Sequence, residues 1–301
     1  MVGDTNVDGF GSALVTYDPT TGVRPLAASE YTNTFVADRN VRLSSNDSIA
    51  ANTDIRALHI EGAGTTVNLN GNNLRVDSQA IFVGGDVTLQ GGTITFGTNT
   101  TVTTPVGYFH LISNLNLNSS IINNPGAGAT VTFSGPGTVY VGATQAYTGN
   151  TFAFGGATIV PTASDVLPDT SVFALDEGNL ILNTGIHDTI GALRGSGASY
   201  IGLGTNTVLR INQTSDQSFY GMISAITNST LVKAGNNVLL LRNNMTNFLG
   251  NVVIDRGTLR LVDQNGRMTL VPRFYATNGT LWLDSQPGVD NANQNDRVGS
   301  E

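Results

Sequence analysis

Short apolar dyads separated by polar turns recur along this chain at steps of six to eight residues. In the first half the apolar pivots fall at Val67, Leu74, Ile81, Val87, Ile94, Val102, Phe109, Leu115 and Ile121. Most sit in an apolar-x-apolar trio, such as Val67-Asn68-Leu69, Leu74-Arg75-Val76 or Ile94-Thr95-Phe96. Alternation over three to five residues predicts a short strand, because successive side chains in a strand point to opposite faces. The Gly-Gly, Asn-Gly and Gly-Thr pairs between them predict turns. No stretch keeps a 3.6-residue period long enough to predict a helix.

Three such steps make a longer period. Val67, Val87 and Phe109 are 20 and 22 apart, and Leu74, Ile94 and Leu115 are 20 and 21 apart. Val131, Phe152 and Val172 repeat in the same way, as do Val139, Ile159 and Leu180, Leu231, Val252 and Phe274, and Val238, Leu259 and Leu281. A repeat of about 20–22 residues carrying three short strands predicts an all-β, right-handed parallel β-solenoid of about a dozen coils. The hand follows the rule for parallel connections. A β-sandwich also has many short strands but needs no sustained coil period. The pattern divides the chain into an irregular N-terminal cap or lead-in (1–38), the solenoid (39–285) and a polar loop (286–301) that reads as cut within a repeat. The pivots Val67, Leu74, Ile81, Val87, Ile94, Phe109, Leu115, Ile159, Leu180, Leu259 and Leu281 are the expected core, each on its counterpart one coil away.

Composition narrows the function. Charged residues are 12% of the 301, and the net charge is −8. From Val87 to Ser164 there is no Asp, Glu, Lys or Arg, and His110 is the one imidazole. Thirteen scattered Arg and the single Lys233 on a net negative chain argue against nucleic acid or an anionic membrane as partner. The absence of Cys removes disulfides and thiolate metal sites. No apolar run reaches the roughly 20 residues of a membrane-spanning helix, and Met-Val-Gly-Asp does not open a signal peptide.

Two stretches share an order of elements at an offset of about 101 residues: Thr130–Pro161 and Leu231–Val262. Each reads strand, glycine turn, strand, aromatic-x-Gly-Asn (Tyr147-Thr-Gly149-Asn150; Phe248-Leu-Gly250-Asn251), strand, glycine, strand. This resembles the autotransporter-associated β-strand repeat, best at Leu231-Val-Lys233, Gly250 and Gly257-Thr258-Leu259. Gly135-Pro-Gly137 lacks the lysine-bearing strand, and Asn236-Asn237 replaces the usual glycine. The resemblance implies a secreted or surface-displayed β-helix, extracellular or at the surface of a Gram-negative-type bacterium. It implies no shared biochemical activity.

Candidate chemistry is sparse. Asp4-Thr-Asn6-Val-Asp8-Gly9 fits the opening of a calcium loop, yet the twelfth position, where a bidentate carboxylate belongs, is Val15. The competing reading of Asp4, Asn6 and Asp8 is a polar turn, and no other cofactor is expected. Arg242, Arg256 and Arg260, with Arg267 and Arg273, make the C-terminal third locally basic. They suit an acidic cell-surface glycan or a neighbouring chain; the competing reading is a solvated face balanced by Asp255 and Asp263. Asp263 and Asp284, 21 apart, could stack as a carboxylate pair on adjacent coils; the competing reading is two turn residues. His59, His110 and His187 are off register with any acid pair. His59 alternates with Leu58 and Ile60 and is expected to point outward.

The sequence therefore predicts a non-enzymatic structural or adhesive solenoid that spaces, displays or self-assembles with other copies. The alternative is a carbohydrate-active β-helix, acting as lyase, hydrolase or glycan-binding module. A charge-free belt presented to other copies has no like charges to separate, and Thr88, Thr95 and Asn116 are expected at its outward positions.

Overall fold

The computed structural model describes residues 2–3, 13–98, 103–262, 266–284 and 298. The pivot Val102 lies outside them. The chain is an all-β parallel β-solenoid of about 10 turns, with about 22 residues per turn. Its strands cluster into two compact units, Met1–Gly149 with Phe154–Ala157, and Asn150–Ala153 with Thr158–Glu301.

In the first unit one parallel stack contains Asn40–Leu43, Ala57–Ile60, Ala80–Val83, Val106–Leu111 and Thr130–Ser134. Its inward register runs Val41, Leu58, Ile81, Phe109, Phe133, and all five are buried. A second stack aligns Val67, Leu89, Leu117 and Val141, and Leu74, Ile94 and Ile121. Like residues therefore sit on like residues from coil to coil, which hides apolar surface and completes each backbone ladder at once.

Ten of the eleven expected core residues are buried. Several stack on different partners from those the 20–22-residue period predicts. Val87 pairs with Leu115, and Phe109 with Ile81, each 28 residues away. The strand Val87–Phe96 shifts register between Gln90 and Thr93, and nine residues separate Phe96 from Val106. This coil is thus longer than the mean, and a fixed period slips across it. In the second unit Leu239, not Val238, lies in line with Leu259 and Leu281. Phe152 pairs with Ala174 rather than Val172, which turns its ring outward. Leu281 is half-buried, because among the described residues its strand Phe274–Leu283 pairs with Asn251–Leu261 alone. Thr95 is covered rather than outward-exposed; Asn73 Nδ2 donates to its hydroxyl at 3.0 Å.

The lead-in is a hairpin, Ala13–Asp18 against Gly22–Pro25. The Asp18 carboxylate closes its turn by accepting from the Thr20 and Thr21 amides at 2.8 and 3.1 Å. Leu14 is buried in a cluster with Ala57, Ala80 and Phe82, and Leu26 and Tyr31 pack against it. The hairpin thus lies along the outward side chains of three residues on two strands instead of stacking on them as a further rung. Parallel pairing starts with Tyr31–Thr32 on Asn40–Leu43.

The aromatic-x-Gly-Asn corners have a packing cause. Tyr147 and Phe248 are buried. A Cβ on Gly149 would strike the Ala129 carbonyl, and one on Gly250 the Ser229 side chain and carbonyl, so a buried ring and a bare backbone fit together there. Lys233 is fully buried, in register between Ile211 and Ile254. Its ammonium donates to the carbonyls of Ala234 (2.7 Å), Gly235 (3.1 Å) and Arg256 (2.9 Å). Burial lowers it to about 8, with Asp216 opposing that shift. The motif lysine thereby ties a turn to the neighbouring coil.

Asp188 is also buried, accepting from the amides of Thr189 (2.8 Å), Val166 (3.2 Å) and Leu167 (3.3 Å). Burial pushes its carboxyl up to about 6 from the usual 3.8, although those three donors oppose the shift. The folded protein therefore holds this proton in a pH window where the unfolded chain releases it. The stability this contributes is full below pH 3.8 and is lost as pH rises through about 6. Asp188→Asn, which cannot ionise, is expected to flatten that slope. Urea titrations at several pH values check this; identical slopes in parent and variant would contradict it.

Candidate functional site

The outward face of the second unit carries the candidate site. One outward column runs in register through Phe152, Ala174 and Arg194. The pairing of Gly195 with Phe219 sets Ser218 beside Arg194, and the column continues through Leu240, Arg260 and Trp282. Arg194 lies over the Phe152 ring at 5.5 Å and Arg260 over Trp282 at 4.3 Å. Both guanidinium groups thus stack on the aromatic side of their own column, away from Ser218 and Leu240.

Between them is an open groove of about 560 Å³, whose lining includes Asp176, Arg194, Gln217, Ser218, Tyr220 and Leu240. Tyr220 is 48% exposed, and Arg242 packs over its ring at 5.2 Å. Asp216, also at the groove, accepts from the Val238 amide at 2.7 Å. The side chains offer a flat ring and two carboxylates beside a low floor of Ser218 and Leu240.

The expected basic patch is divided among different partners. Arg242 serves Tyr220 at the groove, whereas Arg260 is stacked on Trp282 and donates to the Asp284 carboxylate. Arg256 is exposed, and its carbonyl, not its side chain, is tied to Lys233. Asp255 pairs with Arg210 at 2.6 Å. Asp4, Asn6, Asp8 and Asp263 lie outside the described residues. Val15, the calcium loop's twelfth position, pairs with Pro25 in the hairpin. Among the described residues no group of three or more His, Cys, Asp or Glu is placed to hold a metal ion.

His59 and His110 flank Phe82 in one outward column, and His187 lies elsewhere. His59 points outward from its coil but is covered, 4.4 Å from the Phe82 ring and 6.0 Å from Tyr31. Burial, then the nearby Arg42 charge, lower it to about 4, against Glu61. His110 Nδ1 contacts the Ser134 hydroxyl at 3.1 Å. His187 is exposed, facing away from Asp188, and its Nε2 contacts the Asn206 carbonyl at 3.2 Å.

Sequence reading missed Asp176, Arg194, Asp216 and Tyr220 as neighbours. They are spread over 45 positions, and only the exact length of each coil brings them to one face. The usable signal was the charge pattern: these residues begin just beyond the charge-free span that ends at Ser164. Comparison with protein-family models, with curated proteins and with solved structures gave no match. The class the fold defines is the parallel β-solenoid.

Proposed function

We propose that this chain is a non-enzymatic structural or adhesive β-solenoid, secreted or held at the surface of a Gram-negative-type bacterium, where it spaces and displays and assembles with other copies. The observation that carries this reading is the use of outward polar side chains. Asn116 Nδ2 donates to the Thr88 hydroxyl (3.4 Å), Thr93 to Asn73 (3.0 Å), and Asn179 to Thr158 (3.1 Å). These groups bond to the next coil and do not converge on a point, as a reaction centre requires. What supports the surface-display part is the resemblance of Leu231-Val-Lys233, Gly250 and Gly257-Thr258-Leu259 to the autotransporter-associated repeat.

The second reading, a carbohydrate-active β-helix, draws on the two carboxylates at the groove, Asp176 and Asp216. The two readings part in one assay. The purified chain is incubated with neutral and acidic polysaccharides while new reducing ends and unsaturated products are followed. The scaffold reading predicts no turnover above buffer. Cleavage by the parent that disappears in Asp176→Asn with Asp216→Asn would replace it with the enzyme.

A further inference from the structure

We infer that the groove on the outward face of the second unit is a binding site for a neutral oligosaccharide, laid across the floor of Ser218 and Leu240. The inference deepens the adhesive part of the proposed function and rests on it.

Three features of the groove converge on this ligand. The first is shape. In a column whose other rungs are covered by Phe152, Arg194, Arg260 and Trp282, with Ala174 buried beneath the Arg194–Phe152 stack, Ser218 and Leu240 leave a depression two rungs wide. Rungs are roughly 4.8 Å apart, close to the length of one sugar ring, so a short chain running along the stack meets a new rung with each residue. The volume of about 560 Å³ falls within the roughly 300–1,000 Å³ of small-ligand sites.

The second feature is the ring. Tyr220 offers a half-exposed aromatic face at the groove, and Arg242 stacked at 5.2 Å limits its rotation. A pyranose presents C–H groups on one face and hydroxyls at its rim, so a fixed ring at the side of a polar trough suits it.

The third is charge. Asp176 and Asp216 accept, and the Ser218 hydroxyl both donates and accepts. Vicinal hydroxyls are donors and acceptors together and can use this mixed set. A polyanion, by contrast, would face two carboxylates, while the Arg194 guanidinium is turned onto Phe152 and that of Arg242 is held over Tyr220, so the contact disfavours it. The chemistry therefore selects a neutral sugar over a uronate or a phosphate.

Cellohexaose, maltohexaose and chitohexaose serve as neutral probes and oligogalacturonate as the anionic one, each titrated into the full chain by calorimetry or by saturation-transfer NMR. At least one neutral hexasaccharide is expected to bind saturably, with Kd between about 0.1 and 10 mM for so open a site. Tyr220→Ala is expected to weaken binding at least tenfold, and Ser218→Trp, which fills the floor, to abolish it. Both positions are outward, and unchanged circular dichroism and melting show that these variants are folded. Thr88→Arg, in the other unit, is expected to leave binding unchanged. Absence of saturable binding by all three neutral probes, binding of oligogalacturonate alone, or neutral binding that survives Ser218→Trp would overturn the inference. None of these results touches the scaffold reading, which fails on turnover.

Discussion

Ile94→Asp is expected to leave the protein largely unfolded at room temperature. Ile94 has no exposed surface and sits between Leu74 and Ile121 on the coils to either side. The variant removes a buried aliphatic side chain, which costs about 2–5 kcal/mol, and puts a carboxyl in its place with no partner. A total of at least about 4 kcal/mol takes away most of the ~5–15 kcal/mol that holds an ordinary domain. Asn118→Asp, an exposed position in the next coil, is the control and is expected to change stability by less than about 0.5 kcal/mol. Urea unfolding followed by circular dichroism measures both. A midpoint for Ile94→Asp near that of the parent would mean that this side chain does not face the core.

Phe109→Ala is expected to be the most damaging simple truncation in the first unit. Phe109 is fully buried and lies edge-on to Phe96 at 5.8 Å and beside Phe133 at 5.2 Å. Phe96 in turn fills the space over Gly107, where no side chain fits. Emptying the middle of this row costs about 3–5 kcal/mol, because stacked coils cannot close on a gap without shifting every rung. Phe109→Leu keeps most of the volume and is expected to cost less than half as much. With Phe133→Ala added, the loss is expected to fall short of the sum of the single losses, since both empty one cavity. Additive losses, or a Phe109→Ala cost below about 1 kcal/mol, would contradict this packing.

How far the sequence carried the fold is clear from individual positions. Apolar-x-apolar trios identified the inward residues well, because burial in a strand is decided two residues at a time. Leu74 on Ile94, Ile159 on Leu180 and Leu231 on Val252 are stacked as the period predicts. The partners of Val87, Phe109 and Val238 were not legible. A bulge at Gln90–Thr93 or one additional loop residue moves the register without altering the local pattern. Leu281 reads as core by its neighbours in sequence, but its burial depends on what covers it, which is a property of the stack. The hairpin gave no coil period, and its antiparallel turn at Asp18–Gly22 was visible only as a polar break.

The site was less legible than the fold. Arg242 and Arg260 were found through local charge density, yet their partners Tyr220, Trp282 and Asp284 come from other coils. Spacing alone offers many pairings of one Arg with several aromatics 20–30 residues away. Lys233 illustrates the opposite case. A lone lysine in an apolar strand stands out in the sequence, and its three carbonyl acceptors explain why a solenoid keeps it buried.

Outward side chains form ladders set by the true length of each coil, so that each serves its neighbour above or below. The chain has no cysteine, which makes paired cysteine substitutions a clean probe. Thr88 and Asn116 are register partners 28 residues apart, at the short Cα separation a disulfide spans, whereas a uniform coil of 22 residues would instead pair Thr88 with His110. Thr88→Cys with Asn116→Cys is expected to oxidise to an intramolecular disulfide under mild conditions, with the fold retained. Thr88→Cys with His110→Cys is expected to remain reduced within the chain. A disulfide in the second pair and none in the first would contradict the 28-residue register of this coil.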